Sequence, residues 1–512
     1  MRVEAITAPK VSRSSEAALL HGRRDPASMW PAAGIALVLS WLRARVFWVL
    51  PAAATLVICL IDIGRPALWQ DELATYSAAR RPLLDLVRLL RHGDAVLAPY
   101  YLLLHGWIGV VGDSPTALRL PSALAMAGSA GLTAALAARL FGRWEGCVAG
   151  LTFGCLPVVS RYGQEARPYA LAVLLVAGTA FLLVVAVQRQ ARADWVRYGL
   201  GIAALGAVQL TTLLVLVPHL LVVLVERRQV RAPTALVRSW GRTVALALLA
   251  VSPIAVVGWR QRGQISWIPP LSLAQVQALP GQVFGSSAVA ELVLVVAVVG
   301  VLRFRGRTLL AASLLLVPPV LLVVLSEQVP LVRPRYLIHI VVGAAVLAAV
   351  GACALGRRAA VIFVVAVALL GLPAQVDVRS ATRAGQPDYP EIAALLHAQV
   401  RPGDALVMPG SGGLRFRVGV AAYLPRRFRP EDPLLRRSAL DAARLDGVEC
   451  SPATCLGRPP RVWVACVDGC RTPEESLLPE TREVLRREGY EVAHSWRLRG
   501  AELALEVPRV RR

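Results

Sequence analysis

Two adjacent carboxylates, Asp71 and Glu72, follow Trp69-Gln70 just beyond the chain's first long apolar run. Carboxylates at this position cap a helix, because the free amides and dipole of a helix N-terminus favour negative charge. A carboxylate partly withdrawn from water can instead act as a general base, its proton affinity moved towards the working pH. Both readings stand for this pair. A second polar set lies in Ser160–Tyr169, where Arg161, Gln164, Glu165 and Arg167 crowd one short connection between apolar runs. An Arg–Glu pair there can close a helical turn, and a forked guanidinium can also clamp a phosphate. Arg333-Pro334-Arg335-Tyr336 precedes a later run, and Arg260, Arg262, Gln264 and Trp267 make a fourth set. Each is weak alone. Three pairs of arginines and one pair of carboxylates together suit an anionic ligand embedded in a membrane.

The elements that would position these residues are apolar. The chain has 512 residues, 56 Lys+Arg against 33 Asp+Glu, and a net charge of +23, yet only 17% of it is charged and 56% is hydrophobic. A soluble domain runs nearer to about 25% charged and 45–50% apolar. The difference argues against a soluble enzyme and a disordered basic tail, and for a polytopic membrane protein. The arginines fall in short clusters between apolar runs, the pattern of membrane-protein loops, so a nucleic-acid partner is not expected.

A span needs about 20 mostly apolar residues. Candidates lie near 46–64, 116–140, 145–161, 168–187, 195–210, 211–225, 243–259, 287–302, 308–325, 336–354 and 359–376. With the N-terminus inside, the inner segments carry more Lys and Arg than the outer loops before residue 376 (22 against 12). Short loops obey that bias, which places the C-terminal region outside. Residues 195–225 are read as two spans, since one would expose Arg227 to Arg242 on the outer side. Pro99–Val111 is too short to cross and reads as an interfacial helix, with Tyr100, Tyr101 and Trp107 at headgroup depth. Met29–Leu42 reads as an interfacial helix on the inner side. The first apolar run begins after about thirty polar residues, which argues against a cleaved signal peptide.

The expected fold is therefore an all-α polytopic membrane domain of about eleven transmembrane helices with a C-terminal extracytoplasmic α/β domain. Its parts are a cytoplasmic segment 1–45, a membrane domain 46–376 and the α/β domain 377–512. In the last, DALVMPG and RVWVACV are strand-like, and DYPEIAALLHAQV and PETREVLRREG are helix-like. Cys59, Cys147, Cys155 and Cys353 lie in spans and read as small apolar groups. Cys450, Cys455, Cys466 and Cys470 fall together in the outer domain, where disulfides among them are the natural reading; a loose four-cysteine zinc site and free thiols are the rivals. His219 and His339 read as packing groups. No P-loop, G-x-G-x-x-G or G-x-S-x-G stands in a convincing setting, so no nucleotide site is expected. No cofactor is assigned, and the sequence gives a divalent metal no support.

Four stretches together resemble a known family: WQDELATYS from Trp69, APYYLLLHGWIGVVGDSPTALRLPSALAM from Ala98, VVSRYGQEARPYALAVLL from Val158 and PRYLIHIVV from Pro334. Their order and spacing over 46–376 resemble polytopic glycosyltransferases of the GT-C fold. The likeness is to the protein-mannosyltransferase and aminoarabinose-transferase-like branch and, within it, the actinobacterial mannosyltransferase-type members. The resemblance implies transfer of mannose or another hexose or pentose from a polyprenyl-phosphate donor. The acceptor would be an extracytoplasmic glycan, lipid or protein, the anomeric centre would invert, and the site would lie in the plasma membrane. It makes Asp71 the general base with Glu72 orienting beside it. Arg161, Gln164, Glu165 and Arg167 would hold sugar and phosphate, and Arg333, Arg335 and Tyr336 the lipid phosphate. Tyr100, Tyr101, His105 and Trp267 would line an acceptor or lipid groove. Many relatives carry a histidine–proline step before the YYLLLH segment; this chain has Asp94 to Pro99 without histidine. The rival classes are a lipid or solute transporter or flippase, which needs polar mid-span groups or broken helices, and a non-catalytic protein of the same fold.

Overall fold

The computed structural model describes residues 46–229, 232–382, 386–408, 413–467 and 472–509. The segment 1–45, with the helix expected at Met29–Leu42, and Cys470 lie outside them.

Every long apolar run among the described residues is helical, because a long run without polar partners satisfies its backbone amides only within itself. In chain order the first helices are α1 (Val46–Leu60), α2 (Gln70–Ala79), α3 (Leu83–His92), α4 (Ala98–Val111), α5 (Pro115–Leu140), α6 (Arg143–Cys155), α7 (Pro157–Gly163) and α8 (Tyr169–Arg189). There follow α9 (Arg192–Val208), α10 (Leu216–Glu226), α11 (Pro233–Arg260), α12 (Leu273–Phe284), α13 (Ser287–Arg303), α14 (Leu309–Leu325), α15 (Pro334–Leu337), α16 (Val341–Ala354) and α17 (Arg357–Val378). Five described helices are long and apolar enough to cross a membrane, or six if the bent pair α12–α13 is one span.

The breaks have local causes. Leu156 is extended between α6 and α7, as a residue before proline prefers. Gln209 is extended between α9 and the 3-10 turn that leads into α10, which divides the 195–225 run in two. Helix α12 is not among the elements expected from the sequence. This helix meets α13 at 85° through Gly285, whose φ of +83° and closeness to Val158 N (2.8 Å from an added Cβ) leave no room for a side chain. In the bundle, α5 packs on α6 and α8, and α13 packs on α16. A Cβ at Gly351 would meet Val296 O at 2.1 Å, so glycine lets α13 and α16 approach closely.

Beyond α17 the chain builds α18 (Tyr389–Gln399), α19 (Gly413–Tyr423), α20 (Pro452–Cys455) and α21 (Pro479–Arg487) around a sheet. The strands are β1 (Ala405–Val407), β2 (Leu435–Arg437), β3 (Val448–Glu449), β4 (Val462–Val467), β5 (Tyr490–Leu498) and β6 (Ala501–Pro508). The sheet order is β1-β4-β6-β5, with β1 parallel to β4 and the other pairs antiparallel; β2 and β3 pair separately. Asp404 anchors the sheet's first edge, accepting from Arg461 Nε at 2.7 Å and from Trp463 Nε1 at 2.9 Å. Cys450 and Cys455 form a disulfide, and Cys466 is also disulfide-bonded.

This α/β region shares a hydrophobic core with the first long connection. Leu73, Tyr101 and Leu104 cluster with Tyr389, Phe416 and Trp463. Tyr423 Oη accepts from Leu68 N at 2.9 Å, and Ala67 N donates to Ala381 O at 2.9 Å. The α/β region is thus docked on the end of the bundle that carries the α1–α5 connection.

Candidate active site

Where α1 ends, one side chain from α5 fixes the path of the chain. Arg119 donates to Ile63 O (2.8 Å), Pro66 O (2.9 Å) and Ala67 O (3.2 Å), and forks onto Glu72 at 2.8 and 2.7 Å. Glu72 and Arg119 are both 0% exposed. Glu72 also accepts from Ala166 N at 2.8 Å and, as the N3 residue of α2, from Trp69 N at 3.3 Å. Burying an ion pair costs desolvation of both ions, which is offset only when their donors and lone pairs are satisfied, as they are here by the hydrogen bonds of Arg119 and Glu72. Glu72 therefore ties α2, α5 and the α7–α8 connection together, and its carboxylate turns into the protein.

Asp71, one residue earlier, turns the other way and is 22% exposed. Its Oδ2 lies 2.9 Å from Arg335 Nη1 and 4.0 Å from Arg167 Nε. Arg167 Nη1 also reaches Asp71 O (3.3 Å) and Thr75 Oγ1 (3.2 Å). Aromatic rings flank the cations. The Arg335 guanidinium lies 5.4 Å from the Trp267 ring centre and 5.8 Å from that of Tyr336, and Arg333 lies 4.6 Å from Trp267. Two guanidinium groups thus meet one carboxylate, and a third, Arg333, shares the Trp267 ring with Arg335. The Nε–H groups of Arg167, Arg333 and Arg335 are buried and have no hydrogen-bond acceptor among the described residues. Burial and the adjacent Arg335 hold the Arg333 guanidinium below the usual arginine range. Burial also works against the charge of Arg167, but Tyr169 and Asp71 outweigh it and push its proton affinity up. A group with two or three acceptor oxygens and negative charge would satisfy this arrangement.

The other predicted residues fall into two sets. Arg335 and Arg167 meet Asp71, and Tyr336, Trp267 and Arg333 pack around Arg335. Glu165, Gln164 and Arg161 stand behind them. Arg161 pairs with Glu165 at 2.9 Å one turn away, Gln164 Nε2 donates to Cys59 O and Ile61 O, and Ser122 Oγ donates to Glu165 O at 2.6 Å. Tyr100 and Tyr101 are buried at 2% and 0% exposure beneath α2 and the α/β region, not on an open groove. Tyr101 Oη donates to Asp94 at 2.9 Å, and His105 Nδ1 lies 2.9 Å from Ala79 O. His219 is buried 2.9 Å from Tyr198 Oη. Among the described residues no three His, Cys, Asp or Glu side chains gather as metal ligands would.

Sequence reasoning missed Arg119, although a lone arginine at the start of an apolar span is a signal in itself. It also missed the stitching by Gln261 and Gln264. Their Oε1 atoms accept from Ala95 N at 3.0 Å and Asp94 N at 3.1 Å, which fastens the α11–α12 connection to the turn before α4.

The helical bundle with a small mixed sheet docked on one end has the GT-C fold. Residues 97–259 match the family model described as dolichyl-phosphate-mannose-protein mannosyltransferase. The crystal structure of ArnT from Cupriavidus metallidurans in the apo state superposes with a TM-score of 0.58 at 14% identity, over 92% of this chain and 98% of ArnT. ArnT bound to undecaprenyl phosphate gives 0.56 at 13% identity, over 89% and 97%. An Archaeoglobus fulgidus oligosaccharyltransferase gives 0.45 at 12% identity, over 85% and 71%. No curated protein matches the chain by sequence.

Proposed function

We propose that this protein is a plasma-membrane glycosyltransferase. It moves a sugar, mannose or another hexose or pentose, from a polyprenyl-phosphate donor to an acceptor hydroxyl on the extracytoplasmic side. One observation carries the reading: Arg167 and Arg335, brought from distant connections, present buried unsatisfied Nε–H groups beside Asp71, and Arg333, with its own unsatisfied Nε–H, packs on Trp267 next to Arg335. The lipid phosphate binds these arginines and draws Arg335 away from Asp71. Asp71 then takes the proton of the acceptor hydroxyl, and the oxygen attacks the anomeric carbon from the face opposite the phosphate. The sugar–phosphate C–O bond breaks with its electron pair going to the phosphate, where the guanidinium groups stabilise the growing charge. A single displacement inverts the anomeric centre.

Glu72 and Arg161, with their buried partners, hold the frame. Arg and Lys distribution puts the site on the outer face, where nucleotide sugars are absent and a lipid-phosphate donor is needed. Residues 377–512 form an extracytoplasmic α/β domain over that site, and the acceptor is a glycan, lipid or protein. The undecaprenyl-phosphate ligand of ArnT and the dolichyl-phosphate-mannose named in the matching family model support the donor class. Reconstituted protein should transfer label from a polyprenyl-phosphate sugar and not from the matching nucleotide sugar. Use of the nucleotide sugar in place of the lipid donor would refute the reading.

A further inference from the structure

The far side of α2 faces a second polar feature. A cleft of about 490 Å³ opens between α2 and the α/β region, within the range of about 300–1,000 Å³ usual for small-molecule sites. Its wall carries Arg80, Arg417 and Arg429, and its apolar lining includes Tyr76, Leu406 and Met408. Arg417 is fixed by Asp432 at 2.6 Å and Glu449 at 2.5 Å. Arg429 differs: its hydrogen bonds go to Leu424 O (2.8 Å) and Ala421 O (2.7 Å), main-chain carbonyls that leave its charge uncancelled. Arg80 donates to Tyr76 Oη and meets Asp113 at 2.9 Å, with both partners about half exposed, where pairing is worth little. Burial and the nearby Arg426 and Arg80 lower the proton affinity of Arg429, against an opposite pull from Tyr76. Arginines crowd one rim, the Asp432 carboxylate in the lining is taken up by Arg417, and Tyr76 with aliphatic side chains lines much of the rest. Apolar surface of that kind packs against the C–H face of a sugar, while a cationic rim pairs with an acidic substituent.

Tyr76 lies five residues after Asp71, which is about 7–8 Å along the helix and about 140° around it. A ligand in the cleft therefore cannot present its reacting hydroxyl to Asp71 from there; it holds a part several units away. We propose that this cleft binds an anionic saccharide and, given the transferase reading on which this role rests, grips the distal part of an acidic glycan acceptor. The carboxylate or phosphate of that saccharide pairs with Arg429 and Arg80.

The test is binding by the purified full chain at low salt to three probes: trigalacturonate, maltotriose 1-phosphate and neutral maltotriose. At least one anionic probe should bind about tenfold or more tighter than maltotriose, and the tighter of the two identifies carboxylate or phosphate as the recognised group. Arg80→Gln, an exposed change, and Arg429→Gln should each remove most of that preference while thermal melting stays as in wild type. Equal affinity for charged and neutral probes, or unchanged binding in the double variant, overturns the proposal. Asp71→Asn should keep the binding. If wild type binds the anion and transfers no sugar, the transferase reading fails while the cleft stands as an anionic-saccharide site.

Discussion

Asp71 and Glu72 occupy consecutive positions in the first turn of one helix, and the fold treats them in opposite ways. Glu72 is sealed, and both its oxygens are committed to Arg119 and to main-chain amides. Asp71 is partly open, paired to arginines that retain unused donors. A fully satisfied buried pair has nothing left to offer a substrate, so its contribution is architectural. A partly satisfied carboxylate among surplus cations can change partners, which is what catalysis requires. Residue type alone does not separate the two roles; the partners do.

The sharpest way to break the comparison is to neutralise each carboxylate. Asp71→Asn should lower sugar transfer by about 10²–10⁴, the usual worth of a general base, with melting of the purified protein unchanged. Next in size is the sealed pair. Arg119→Met removes the cation that balances the buried Glu72 charge, and should destabilise the fold by about 3–5 kcal/mol in thermal or denaturant melts. The Arg119→Met/Glu72→Met double variant should recover much of that loss. A smaller effect belongs to Arg335→Gln. Loss of one charge-assisted contact of about 1.5–3 kcal/mol predicts a ten- to hundredfold fall in kcat/KM for the lipid donor, again without loss of stability.

The smallest effect lies in the sheet. Burial and then the nearby Glu474 push Glu506 up from its ordinary 4.5 to about 7. The folded state holds that proton more tightly than the unfolded state, so stability should fall as pH rises from about 4.5 to about 7 and then level off. Limited proteolysis of the full chain between pH 5 and pH 8 checks this, and Glu506→Gln should flatten the profile. At Asp404, burial opposes the charge, but Arg461 and Trp463 outweigh it and hold the carboxyl below its ordinary 3.8. Its contribution is lost only as pH falls below that value, outside the window.

Much of this was legible in the sequence because apolar length dictates helices and arginine placement marks the loops. The division of 195–225 follows from the side on which Arg227 to Arg242 would otherwise fall, and the α/β character of the last region from the local alternation of strand-like and helix-like segments. Asp71, Arg167 and Arg335 could be singled out because charge beside an apolar run needs a reason. The rest depends on partners distant in sequence. Tyr100 and Tyr101 have the composition of an interfacial belt, yet they are covered by residues such as Tyr389 and Trp463, about 290 and 360 positions later. Glu72 looks equivalent to Asp71 until Arg119 is seen to reach it. The α12–α13 bend turns on Gly285 packing against the Pro157–Val158 main chain, a contact that no local pattern encodes.

The central claim is that a lipid phosphate sits among the arginines that now hold Asp71. A structure of the full chain with undecaprenyl phosphate tests it directly. The phosphate oxygens should lie within about 2.7–3.2 Å of Arg335 and Arg167 nitrogens, with Asp71 no longer paired to Arg335. A phosphate bound at the opposite end of the bundle, beside Arg139 and Arg143, with the Asp71–Arg335 pair intact, would contradict it.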